Sequence, residues 1–391
     1  MLLTFNAAPA GATKTHLFQE NFGAAAQPGF GSVRGLAVDQ STGDLLVIDS
    51  QALTVSRYHA DGTSDNFAAL ATNTIDAQGS GKCATVPADC DQTPQNGFSF
   101  GPGEGEQQVA VDNSGTTTDG NIYVTQGNKA AGNLVDVFAS SGKYLGQLTA
   151  AGATKFATTG FPLSPCGVAV GGDGSLFVGA GYENKVYKFD PSANPPVNAD
   201  NTATFTTSEP VCNLALGAGP SAGSLFVNTF ATFKENSVLK LDATSGALKG
   251  VVDPGEDSLI SVDPASGHLF AFGGRLNANK QLVDLVIREF DVSGSSASLL
   301  STTPAANVTG FAASGEKLYL GFRTFDLKPI RVYGPLVTIP DVTTGPAEIS
   351  GDTSAKLSGT VDPDGVALEE CFFEYGPTTS YGQAKPCAES M

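Results

Sequence analysis

The chain has 391 residues, 41% of them hydrophobic and 15% charged, with 47 Gly, 22 Pro, 24 Phe, no Trp and a formal net charge of -18. That length buries a large core, and the Gly and Pro content suits a turn-rich all-β protein of one main domain with a small appendage. The acidic balance repels phosphate backbones and no Lys/Arg cluster reverses it locally, so nucleic acid is excluded as a partner, and no stretch is long and apolar enough to span a bilayer.

At the amino terminus, residues 1–12 read as the remnant of a signal peptide: a short apolar run, Met1 to Phe5, precedes Ala10-Gly11-Ala12, which has the small-x-small form of a cleavage site. Thr15 to Phe22 reads as a strand without neighbours of its own. Then a phrase begins to repeat. Gly35-Leu36-Ala37-Val38-Asp39 returns at Gln108 to Asp112, Gly167 to Gly171 and Leu259 to Asp263, each time followed by a Gly-containing turn and a second apolar strand. Six units follow from it. Unit one runs from Phe30 to about Leu70, with a third strand at Thr54 to Tyr58. Unit two holds Gln108 to Asp112, Asn121 to Thr125, Leu134 to Phe138 and Tyr144 to Leu148. Units three, four and five centre on Gly167 to Phe189, Asn213 to Leu241 and Ile260 to Phe290.

Unit six, with Val308 to Ala312, Lys317 to Phe322 and Pro329 to Tyr333, lacks a fourth strand, and Thr15 to Phe22 is predicted to supply it. A regularly repeated β-meander closed in this way is a six-bladed β-propeller, which leaves no unpaired edge. Ser64 to Phe100 interrupts the pattern as a long polar insertion, and loops of that length more often carry function than filler. After Pro335 the pattern ends. Residues 13–336 are therefore assigned to the propeller, 337–346 to a linker and 347–391 to a partial β-sandwich-like segment.

The repeated phrase, its Asp and the turn Gly resemble the NHL repeat, best seen in Gly35 to Asp49 and Gln108 to Thr125, and that resemblance also implies six blades. Departures occur at Gly171 and Gly217, where the turn Asp is expected, and at Ala313 in unit six; they bear on blade boundaries more than on fold. Leu357 to Gly365, Cys371 to Gly376 and Tyr381-Gly382 resemble the first strands of the fibronectin type III-like modules of secreted bacterial proteins, cut short at Met391. Together these resemblances imply a secreted or cell-surface protein.

Six cysteines allow 15 pairings, and position groups them as Cys83 with Cys90, Cys166 with Cys212 and Cys371 with Cys387. Cys166 and Cys212 stand at the same place in successive units, where neighbouring inner strands approach, so a disulfide there would join two blades. None of the spacings matches a zinc site.

Propellers present functional groups in the loops entering each inner strand and following each second strand. Here those loops hold Arg34, Glu106, Gln107, Gln126, Tyr182, Glu183, Glu209, Asn228, Glu256, Asp257, Arg275 and Arg323, a mixture suited to a protein, peptide or glycan partner. The reading is an extracellular binding or adhesion module, or a structural surface module, without catalysis or cofactor. The alternative is a Ca²⁺-dependent hydrolase or lyase of lactonase type, with Glu106, Asn228 and Asp257 as metal ligands and structural Ca²⁺ as its cofactor. His16, His59 and His268 lie away from this mouth, in the closing strand, at the end of an outer strand and in an inner-to-second-strand turn; they read as structural or solvent-exposed. Asp39, Asp112 and Asp263 read as turn caps rather than metal ligands, and Asp362-Pro363-Asp364-Gly365 as a hairpin turn. The Gly101 to Gly105 run precedes no helix and forms no phosphate cradle.

Overall fold

The computed structural model describes residues 13–23, 30–79, 91–100, 107–128, 132–157, 165–190, 192, 194–229, 237–253, 256–277, 282–322, 329–376, 378 and 381–388, excepting the side chains of 13, 128, 132, 256–258, 275–276 and 282. Among these residues six four-stranded antiparallel sheets follow one another. Blade one is Val33–Val38, Leu45–Asp49, Thr54–Tyr58 and Thr74–Ile75. Blade two is Val109–Val111, Ile122–Asn128, Gly132–Phe138 and Tyr144–Leu148. Blade three is Gly167–Val170, Leu176–Ala180, Lys185–Phe189 and Asn201–Thr206. Blade four is Val211–Leu216, Ser224–Thr229, Ser237–Asp242 and Leu248–Asp253. Blade five is Glu256–Val262, Leu269–Leu276, Leu282–Asp291 and Ser298–Pro304.

Blade six combines Val308–Ser314, Lys317–Phe322 and Ile330–Ile339 with the amino-terminal strand Thr13–Phe22 as its outer member. The fold is a six-bladed β-propeller closed by its first strand. Inner strands of successive blades touch, and blade six returns to blade one.

The repeated phrase is a packing code. On each inner strand alternate residues face opposite neighbours, because side chains on a strand point to opposite faces. Val109 and Val111 pack in the core shared with blade one, Val168 in that with blade two, Leu214 with blade three and Ile260 with blade four. The intervening Ala37, Ala110, Ala169, Ala215 and Ala312 face the blade that follows. Large side chains thus meet small ones across each interface, which lets inner strands close together near the axis without voids. Each large residue buried this way contributes roughly 1.5–3 kcal/mol.

The turns carry the predicted caps. Asp39 Oδ1 accepts the Ser41 N-H at 2.9 Å and hydroxyl at 2.6 Å, Asp112 Oδ1 accepts the Ser114 N-H at 2.9 Å, and Asp263 Oδ2 accepts the Ser266 hydroxyl at 2.8 Å. In blade six the pairing of Ala313 with Leu318 puts Ser314, not Ala313, at the equivalent turn position.

Two boundaries differ from the sequence reading. Blade one does not end near Leu70: its outer strand is Thr74–Ile75, inside the stretch read as an insertion. Bridges Tyr58↔Ser64 and Phe67↔Thr72 occupy the expected place, and Phe67 and Leu70 turn inward into the core between blades one and two. The stretch read as a linker contains Asp341–Thr344, which pairs with Gly359–Asp362.

Contacts divide the chain into Leu17–Pro335 and a second unit of Met1–His16 with Leu336–Met391. In the latter, Asp341–Thr344 with Gly359–Asp362, Glu348–Gly351 with Ser354–Lys356, and Phe372–Tyr375 with Gln383–Pro386 form three two-stranded ribbons. Cys371 and Cys387 are disulfide-bonded there, with Cα atoms 5.4 Å apart.

A candidate ligand-binding channel

The residues expected at the loop-rich mouth do not share one environment. Glu106 and Arg323 lie outside the described residues, as do Cys83, Cys90 and the 101–105 glycine run; Glu256, Asp257 and Arg275 have described backbone but not side chains. Gln107, Gln126 and Asn228 are buried. Gln126 lies on the same strand face as Ile122 and Val124 and so turns into the blade one interface, where it is fully committed: its Nε2 donates to Asp136 Oδ2 and its Oε1 accepts the Ser99 N-H at 2.5 Å. Arg34 and Glu209 are half-buried, the latter's carbonyl accepting the Thr207 hydroxyl at 2.7 Å. Tyr182 is 54% exposed, and Glu183 beside it accepts the Ala157 N-H at 2.7 Å.

Polar groups of the inner strands are used to tie blades together. Gln108 spans a chord of the channel: its Oε1 accepts the N-H of Val168 at 2.9 Å and of Leu214 at 3.2 Å, and its Nε2 donates to the Leu214 carbonyl at 2.8 Å. One side chain of blade two thus joins blades three and four. Around the ring, Asn213 Oδ1 accepts the Ile260 N-H at 2.9 Å, Ser261 Oγ accepts the Ala313 N-H at 2.9 Å, and Thr309 Oγ1 donates to the Val33 carbonyl at 2.6 Å. Blades three and four are further joined by the Cys166–Cys212 disulfide, with Cα atoms 4.9 Å apart. Gly167 permits that approach, since a Cβ there would overlap the Cys212 carbonyl oxygen.

Apolar side chains make up the larger part of the channel wall. A cavity of about 700 Å³ is lined by Val109, Val111, Val168, Val170, Leu214, Ile260 and Phe311. It runs toward the end formed by the inner-to-second-strand turns, where Gln40, Asn113, Asp173, Lys188 and Thr244 border it. That end is opposite the mouth favoured from sequence.

The two departures from the repeat meet here. Gly171 and Gly217, which replace the turn Asp in blades three and four, both line the cavity with Gly172, Gly219 and Gly223. At Gly217 a Cβ would overlap the Ser221 carbonyl; at Gly172 a Cβ would meet nothing within 4 Å. Neither missing aspartate leaves an opening: Asp173 Oδ1 stands 2.8 Å from where a Gly171 Cβ would lie, and Ser221 occupies that of Gly217. The sequence shows both departures, but only the fold brings them to one cavity.

Titratable groups sit mostly away from the cavity. His59 Nδ1 lies 2.7 Å from Asp44 Oδ1, and this hydrogen bond raises the imidazole pKa above its ordinary value. His59 follows the third strand rather than an outer one. His268 Nδ1 lies 2.8 Å from Glu289 Oε1, whose other oxygen accepts the Ser301 hydroxyl at 2.7 Å, so this serine bonds the acid and not the imidazole. His16 is buried in the closing strand. Asp136 is different: fully buried between blades one and two, with its Oδ1 unpartnered, it is pushed by desolvation to a pKa of about 7 against the lowering effect of the Gln126 hydrogen bond. Among the described residues no group of three or more His, Cys, Asp or Glu side chains is placed to hold a metal ion, and no helix is long and apolar enough to cross a membrane.

No family model matches the chain, and no curated protein matches it. Neither the NHL repeat nor the fibronectin type III-like module is therefore established. Many solved structures are similar in fold, among them the following three. A gluconolactonase from Xanthomonas campestris matches at 13% identity and a TM-score of 0.46, over 84% of this chain and 99% of its own. Hydrazine synthase from Kuenenia stuttgartiensis matches at 13% identity and 0.46, over 80% and 77%. A streptogramin B lyase matches at 12% identity and 0.45, over 80% and 85%. Likeness at this level carries no argument about activity, and the six-bladed arrangement rests on the sheets themselves.

Proposed function

We propose that the protein is an extracellular binding module whose propeller seats a small, largely apolar ligand in the central channel. One observation carries this reading: the inner strands spend their polar side chains on neighbouring blades, leaving a cavity of about 700 Å³ whose wall is more apolar than polar. Such a volume and such a lining are those of small-molecule sites. The interblade and carboxy-terminal disulfides support folding in an oxidising compartment, hence a secreted or cell-surface location. The opposite mouth, with Tyr182 exposed, is where we place a protein, peptide or glycan partner.

The test is binding of the neutral fluorescent probe N-phenylnaphthylamine. Wild-type protein is expected to take it up stoichiometrically. Gly172→Phe, whose new Cβ enters open space, is expected to fold normally and bind at least tenfold more weakly. Equal binding by both proteins, or none by the wild type, would refute the reading.

A second reading, the Ca²⁺-dependent hydrolase or lyase, draws support from Asn228. It is buried and shares a strand face with Phe226, which packs against blade five, the blade whose inner strand carries Asp257. A Ca²⁺-dependent rise in Tm that disappears in Asn228→Ala would favour this reading; an identical Tm in Ca²⁺ and in chelator would remove it.

A further inference from the structure

The six copies of the phrase share a first position, four residues before each turn position: Gly35, Gln108, Gly167, Asn213, Leu259 and Gly310. At this level the ring is drawn tight. A Cβ at Gly35 would stand 2.9 Å from the carbonyl oxygen of Gln107, one at Gly310 would stand 3.2 Å from that of Arg34, and one at Gly167 would overlap that of Cys212. These seams between blades close backbone against backbone, which glycine permits because it has no Cβ. Gln108 crosses the space that is left. Its amide bonds Val168 and Leu214, and blade three, which lies between it and blade four, offers Gly167 at this level, with no side chain in its path. A glutamine side chain is short, so reaching a blade two places round the ring requires the inner strands to converge here.

The cavity ends at the same level. Its lining begins on every blade at the second position of the phrase, with Leu36, Val109, Val168, Leu214, Ile260 and Phe311, and of the first-position residues it includes Gln108 alone. That side chain is held in place. Its Oε1 accepts N-H groups from two blades, which uses both lone pairs, while its Nε2 donates to the second of those blades. From Gln108 to the turn position is roughly 13 Å of extended strand, which bounds the depth of the cavity. At the turn end stand the charges of Asp173 and Lys188, which are of opposite sign and interact, so the rim selects neither sign.

We propose that Gln108 is the floor of a blind pocket and sets the length of the apolar body that the channel admits, the ligand entering from the turn end and keeping its polar end there. This deepens the channel-binding reading and rests on it. Two phenyl rings in line fit within the depth of the strands and three do not.

Displacement of N-phenylnaphthylamine by rigid rods, which cannot fold back on themselves, tests the floor separately from the cavity. For wild-type protein 4-phenylphenol is expected to displace the probe at about tenfold lower concentration than phenol, and 4-hydroxy-p-terphenyl to do no better than 4-phenylphenol, because its third ring buries no further surface. Gln108→Ala is expected to remove the limit, so that the three-ring compound gains about tenfold over the two-ring one. Gln108→Asn, with a shorter side chain and its amide kept, is expected to show part of that gain and serves if the alanine variant does not fold. Asn213→Ala breaks an interblade tie at the same level without lining the cavity, and is expected to keep the wild-type limit. A third ring that adds affinity in the wild type, or a limit that persists in both Gln108 variants, would overturn the floor and leave the cavity reading standing. Loss of the limit in Asn213→Ala would overturn the role of Gln108, since loosening of the ring would then suffice. Failure of the probe to bind wild-type protein would overturn both readings.

Discussion

Asp136→Asn should change how stability depends on pH. In the folded protein the Asp136 carboxyl has a pKa of about 7, raised by burial from the ordinary 3.8. Because the folded-state value is the higher one, its contribution is fully present below about pH 4 and is lost as pH rises through about 7. Between those limits the unfolded chain releases the proton and the folded protein retains it, so stability falls by about 1.4 kcal/mol per pH unit, roughly 4 kcal/mol in all. Asparagine keeps an oxygen for the Gln126 N-H and cannot ionise. The stability difference between variant and wild type should therefore grow in the variant's favour by roughly 2 kcal/mol between about pH 5 and about pH 7. Urea unfolding of both proteins across that range measures it, and titration of all other groups cancels in the difference. A difference that stays flat with pH would refute the reasoning, since Asp136 would then titrate alike in both states.

Three further outcomes follow from the interblade ties. Gln108→Ala leaves two N-H groups and one carbonyl without their partner and should destabilise by roughly 2–4 kcal/mol; hydrogen exchange should speed up at Val168 and Leu214, and unchanged rates there would contradict the strut. Replacing Cys166 and Cys212 by serine opens a loop with a sequence separation of 46 residues. The expected loss is roughly 4 kcal/mol, read by denaturation of variant and wild type without reductant. Removing residues 13–22 uncovers the edge of Ile330–Ile339, so the truncated protein should melt lower and associate with rising concentration in light scattering. A truncated protein that stays monomeric with an unchanged Tm would count against closure by that strand.

Much of the architecture is local and therefore legible from the chain. The alternation of Leu36-Ala37-Val38 and its counterparts specifies strands; Asp39, Asp112 and Asp263 with their serines specify the turns; and Thr15 to Phe22, left over at one end, matches the strand lacking at the other. The outer strand of blade one was misplaced because it is two residues long and paired on one side only, so Thr74 and Ile75 carry almost no periodic signal. Gln126 reads as a mouth residue when the second strand is ended at Thr125; the strand runs on to Asn128, and its face turns Gln126 inward.

The candidate site was much less visible. Gln108 belongs to the repeated phrase yet joins Leu214, 106 positions away, and no spacing rule links them. Lys188 and Asp173 are ordinary in sequence, and only the fold brings both to the rim of one cavity, where their charges interact. What the sequence by itself determined is the repeat, its closure and its disulfide between adjacent units, since strands, turns and blade-to-blade packing depend on neighbours along the chain. What only the tertiary structure decided is the channel: bringing six inner strands around one axis sets Gly171 beside Gly217, spends the polar groups on adjoining blades, and leaves Lys188 at the rim of an apolar space, because proximity across a ring is set by closure and not by distance along the backbone.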